Sequence, residues 1–335
     1  MFGFLRTLLD HDGRSSEPPS RGLNQAIDRI VAGTDPRLAL LAQHRRRLAP
    51  CAGRLLTHAR ACAAALTPPR LLSRTSFTRD PLIRACFGSA DGVATTITRD
   101  PALRELLATP QGHCAPEFYA LLSLSCTERA QFGLQLEGDI MRRDVRQTAV
   151  VFERPVFLAP HADEAACREA VMWTVFDYCV HRAREHLTGL RGRREALQTR
   201  YREQLGKLRM LDHVNGRRVV GLDGPERVSH RIQAEQALAH IKAELQQAVA
   251  DVASLNDSLA RVIEVLETPQ QLVSMQRRCL RIDHRGVRID DAASSADTVC
   301  FDEACFAGTQ TRAAVLVRIP GLEFETPGLP TLPDW

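Results

Sequence analysis

The spacing of apolar residues divides the chain of 335 residues into stretches of different period. From Trp173 onward the steps alternate between three and four: Phe176, Val180, Ala183, Leu187, Leu190, Arg194, Leu197, Tyr201, Gln204, Leu208 and Leu211. Only Arg194 and Gln204 interrupt the apolar or aromatic character of that run. A second run gives Leu238, Ile241, Leu245, Ala248, Val252, Leu255, Leu259, Val262 and Leu266, apolar throughout. A 3.5-residue repeat held over about five heptads is the pattern of a coiled-coil seam. Between the runs lies HVNGRRVVGLDGP, with Asn215-Gly216 and Asp223-Gly224 as turn signals and Pro225 suited to a first helical turn. The two runs therefore predict one long antiparallel helical hairpin over 163–268, closed by Thr268-Pro269. Setting Trp173 opposite Leu266 also brings Arg194 beside Glu244 and Gln204 beside Glu235.

Residues 23–112 carry a helical period broken by Pro50 and by Pro68-Pro69, which predicts a helical bundle. Asp35-Pro36, Asp80-Pro81 and Asp100-Pro101 read as helix starts, an N-cap aspartate followed by proline in the first turn. A period of two then appears. QFGLQLEGD and VRQTAVVFERPVFLAP read as strands near 130–138 and 145–159, with Pro155 marking an edge or a break. After the long hairpin, CLRIDHRGVRID reads as a β-hairpin around Asp283 to Gly286, and RAAVLVRIP as a further strand. The expected class is α+β: a helical bundle, then a small antiparallel β domain (115–162 and 277–320) with the coiled-coil hairpin inserted into it. Residues 1–22 read as an amphipathic start and linker, and 321–335 as a Pro-rich tail.

Charge adds to this picture. Residues 181–218 hold eleven Arg or Lys against four Asp or Glu, whereas 232–267 hold two against six. A basic arm and an acidic arm suit antiparallel pairing. Of 44 basic residues only Lys207 and Lys242 are lysines, as expected from a GC-rich bacterial coding bias. The net charge of +4 implies no general attraction to nucleic acid or acidic lipid. An aromatic content of 5% argues against an aromatic platform for stacking bases. None of the ten cysteines forms a Cys-x-x-Cys pair, so reduced thiols in a cytoplasmic protein are expected. No run of eighteen apolar residues predicts a transmembrane segment, although residues 1–9 form an apolar face that would suit peripheral membrane contact.

Catalytic signatures are missing: no phosphate-binding glycine loop, no His-Glu-x-x-His, no nucleophile elbow and no calcium loop. Three weaker groupings remain. Cys51, His58 and Cys62 share a helical face, but Cys51 lies about 10 Å along the axis from His58, so packing is the expected role. His181 and Glu185 form an i, i+4 pair, while His186 points elsewhere. Glu137, Asp139 and Asp144 are matched by Arg142, Arg143 and Arg146, which suits a charged hairpin tip.

In outline, a helical hairpin flanked by β segments resembles the periplasmic adaptors of bacterial efflux systems. The lipoyl-like halves of that family are not found, so its function is not carried over. The reading is a non-enzymatic interaction or scaffold protein with no cofactor and no metal, docking a protein partner or a second copy of itself. Its interaction residues are those of the hairpin seam: Leu187, Leu190, Leu197, Tyr201, Leu245, Val252, Leu255 and Leu259. The alternative is a nucleic-acid-binding factor or an enzyme using the 130–160 region, with Arg191, Arg193, Arg200 and Arg202 on phosphates.

Overall fold

A computed structural model describes residues 21–137, 140–213, 225–289, 296–308 and 310–324. The molecule mixes helices with one six-stranded sheet. Helices α1 (Arg21–Gly33) and α2 (His44–Ala65) come first, joined by a 3-10 turn at Pro36–Leu40. A short strand β1 (Arg70–Leu71) leads to five small helices, α3 (Ser76–Arg79), α4 (Pro81–Cys86), α5 (Ala90–Arg99), α6 (Pro101–Leu107) and α7 (Pro110–His113). The three Asp-Pro starts behave as expected. Asp35 accepts from the Arg37 amide, Asp80 from Leu82, and Asp100 from Ala102 and Leu103. Pro50 does not end a helix; it lies inside α2, where Leu48, Cys51, Ala52 and Leu55 are buried on both sides of it. Packing along that face outweighs the one hydrogen bond the proline removes.

Strands β2 (Glu117–Glu137) and β3 (Ile140–His161) form a long antiparallel hairpin that starts well before the expected boundary at 130. Then come α8 (Glu164–His213), α9 (Pro225–Asp251), α10 (Leu255–Leu266) and α11 (Pro269–Leu272). Strands β4 (Val273–Ile282), β5 (Asp297–Phe306) and β6 (Gln310–Pro320) complete the sheet. Its order is β3-β2-β6-β5-β4, antiparallel at each step, with β1 added in parallel to β6.

An antiparallel helical insertion that returns to its start would bring the strands on either side of it next to each other. Instead β3 and β4 stand at opposite ends of the strand order. They are linked differently: after β4 the chain turns at Asp283 to Gly286, and the Val150 amide donates to Gly286 O while the Arg288 amide donates to Thr148 O. Gly286, at φ +78°, supplies the left-handed residue this turn needs. The sheet thus curls until its two ends meet through 286–288. Pro155 sits, as expected, on an edge strand; the adjacent Arg154 has φ +55°, and the pairing with β2 slips there.

Two cores flank the sheet. Its concave side holds Phe118, Leu122, Phe152, Phe301 and Val315 against Leu82, Ile83, Val93 and Leu103 of the small helices. Its convex side holds Leu121, Val273, Ala314 and Leu316 against α1, α2, α8 and α10. The segment 23–112 is therefore not one bundle. Residues 21–66 belong to the convex core and residues 72–107 to the concave one. Of the expected tail, residues 321–324 form a 3-10 turn, with the Phe324 ring 5.2 Å from that of Phe118.

Candidate interaction arm

Helix α8 is 50 residues long and has two regimes. Its first half is built into the body. Arg168 donates to the carbonyls of Ala63 and Leu66 at the end of α2. Arg29 of α1 pairs with Asp177 and lies over the Trp173 ring at 4.4 Å. At Gly33 a β-carbon would stand 2.5 Å from Val180, so only glycine lets α1 approach α8 this closely. Phe176, Cys179, Ala183 and Leu187 are fully buried with Leu259, Val262 and Leu266 of α10.

Among the described residues the outermost ion pair from α8 to the body is that of Arg191, which meets Asp35 at 2.5 Å. Asp35 is 4% exposed and also accepts from the Arg37 side chain at 2.8 Å and 3.0 Å. Hydrogen bonds from Arg37 and then Arg191 outweigh the desolvation of burial and hold the Asp35 carboxyl well below the usual carboxylate range. Beyond this latch, 22 residues of α8 run on for about 30 Å with α9 beside them.

Along the expected seam burial is uneven, and it gives way to half-burial beyond Leu197 and Ala248. Leu187, Leu197, Val252 and Leu259 are buried, whereas Leu190, Tyr201, Leu245 and Leu255 are half-buried. The second run is not one helix. It breaks after Asp251, and α10 restarts with Ser254 as N-cap and a capping box to Asp257. Ser254 competes for backbone donors as a cap does, and that local preference wins over the continuous apolar repeat. The connection from 214 to 224, with its Asn-Gly and Asp-Gly signals, lies outside the described residues.

The expected charge pairing across the arms takes another form. Glu235 pairs with Arg231 and Glu244 with His240, each within α9. Among the described residues, Arg193, Arg200, Arg202, Lys207 and Arg209 make no ion pair, and each is exposed. Arg191, which the sequence pattern groups with them, is instead committed to Asp35.

The weaker groupings resolve into packing and surface contacts. Cys51 is buried and donates to Leu48 O; burial pushes its thiol up to about 11. His58 Nε2 lies 2.8 Å from Val273 O, which binds its ring to β4. His181 and Glu185 are exposed and 3.3 Å apart, with Arg182 also on Glu185. At the 137–146 tip, Asp144 adopts φ +58°; Asp139 and the side chains of Glu137 and Arg142 lie outside the described residues, as do residues 1–9. Among the described residues no helix is long and apolar enough to cross a membrane.

One cysteine pair corrects the all-reduced expectation. Cys279 and Cys300 face each other directly across β4 and β5 and form a disulfide. Spacing alone cannot reveal it, because register is set by long-range pairing. Comparison with protein-family models, curated proteins and solved structures finds no match for this chain.

Proposed function

We propose that this chain is a non-enzymatic interaction protein, in which α8 and α9 form an antiparallel coiled-coil hairpin that docks a protein partner or a second copy of the chain. One observation carries the reading. Past the Asp35–Arg191 latch, the seam is half-buried from Tyr201 and Leu245 outward, and the arm carries a row of exposed cations without ion-pair partners among the described residues. Such a surface uses little of its charge for folding and leaves it available to an acidic surface. The small helices and the sheet then act as the mount. The eight unpaired cysteines, five of them buried, keep a cytoplasmic setting as our reading despite the one disulfide.

Native mass spectrometry of the full chain over a concentration series tests the self-association form. We expect a dimer in the wild type that R193E/R200E/R202E loses while its helicity and melting stay unchanged. A monomer at every concentration sinks that form. The same exposed arginines favour a second reading, docking on a phosphate backbone. It predicts salt-dependent binding to an oligonucleotide, with a salt slope that falls by about one for each phosphate-contacting arginine removed. A salt-independent response dismisses it.

A further inference from the structure

Between the convex face of the sheet and the helices above it lies an apolar cleft of about 300 Å³. Leu121, Leu158, Val171, Val175, Met275 and Phe306 form much of its wall. It arises because β2 to β6 present mostly small or apolar residues outward, with Gln310 and Arg312 at one side, while α8 crosses above them with Val171, Val175 and Tyr178 facing down. Among the described residues no acidic side chain lines it. Two features make it a site for a small molecule rather than a packing gap. Its volume falls at the lower end of ligand pockets, and among the described residues it carries a single charged group.

That group is Arg312. Its Nε donates to Ser123 Oγ at 2.7 Å, and its Nη2 donates to the carbonyls of Ser123 and Arg154, both at 3.1 Å. All three acceptors are neutral. Among the described residues Arg312 has no carboxylate partner, and its Nη1 has no hydrogen-bond partner. The Arg154 carbonyl belongs to the bulge beside Pro155, so the irregularity in β3 helps to fix the guanidinium at the cleft wall. A half-buried cation held rigidly by neutral acceptors retains its full charge for an incoming anion, and an arginine fork suits a carboxylate.

We propose that this cleft binds a small amphipathic carboxylate of the medium-chain fatty-acid class, its chain along Val171, Val175, Leu158 and Phe306 and its carboxylate on Arg312. The site is independent of the arm. Neither end of such a ligand suffices alone: the wall offers the chain only apolar contact, and one arginine near solvent holds a bare carboxylate weakly.

Isothermal titration of the full chain with decanoate, decanol and acetate tests this. Decanoate is expected to bind one per chain and saturably, decanol at least tenfold more weakly, and acetate not measurably. Arg312→Gln should weaken decanoate at least tenfold, and Arg312→Lys should recover part of the loss. Because Arg312 also ties β2 to β3, Val175→Trp supplies a second variant that leaves those bonds alone. It should abolish binding with unchanged circular dichroism. Absence of decanoate binding to the wild type overturns the proposal. So does equal binding of decanoate and decanol, or undiminished binding by a folded Val175→Trp.

Discussion

Asp35 shows how much one side chain joins. It caps the 3-10 turn after α1, accepts from Arg37 and holds Arg191 at the point where α8 leaves the body. Replacing it with alanine leaves the Arg191 guanidinium half-buried without a counter-charge, and we expect a loss of about 2–3 kcal/mol in denaturant titrations. The pH dependence follows from the depressed carboxyl. A group whose pKa is lowered by folding stabilises the native state above its unfolded value, about 3.9, and that contribution is lost as pH falls through the folded value. The gap in melting temperature between wild type and Asp35→Asn should therefore be full at neutral pH and shrink in acid. A gap that widens in acid would contradict the latch.

At the scale of elements, the helical insertion is graded rather than uniform. Leu187 and Leu259 are completely packed between α8, α10 and the α1–α2 pair, whereas Leu245 sits in the half-buried outer seam. Leu187→Ala or Leu259→Ala should cost about 2–5 kcal/mol through the cavity left behind, and Leu245→Ala about 1 kcal/mol. Urea titration of the three variants checks the order. The restart of α10 makes a separate forecast: Ser254→Ala removes the acceptor for the Asp257 amide and should cost about 1 kcal/mol. A neutral result would mean that the break at 252–254 is imposed by packing alone.

Across the whole molecule, closure of the sheet depends on a short segment far in sequence from the strand it meets. Gly286 lies at φ +78°, with Val150 O only 3.3 Å from where a β-carbon would stand. Gly286→Ala should cost about 1 kcal/mol or more and speed amide exchange at Val150 and Arg288, the two donors across that junction. The disulfide acts at the β4 end of the strand order, where it joins β4 to β5. It closes a 21-residue separation between Cys279 and Cys300, and reduction should remove about 3 kcal/mol in the chain-entropy picture. Denaturant midpoints with and without a reducing agent measure this, and C279S/C300S should be insensitive to the agent.

Local rules make much of this protein legible in its sequence. The Asp-Pro helix starts, the apolar period of α8, the strand character of β6 and the turn at Asp283 to Gly286 each follow from interactions within a few residues, so the sequence alone determined them. Strand β5 escaped because Asp302 and Glu303 interrupt its apolar pattern. They are buried at 4% exposure only because Thr67, Arg277, Gln276 and Arg278 meet them there. The division of residues 21–107 between two cores, the partner of Arg191, the Cys279–Cys300 pair and the cleft around Arg312 have the same origin. Each joins residues distant along the chain, whose meeting is decided by which faces the sheet and helices bury against one another. Only the tertiary structure could settle those pairings.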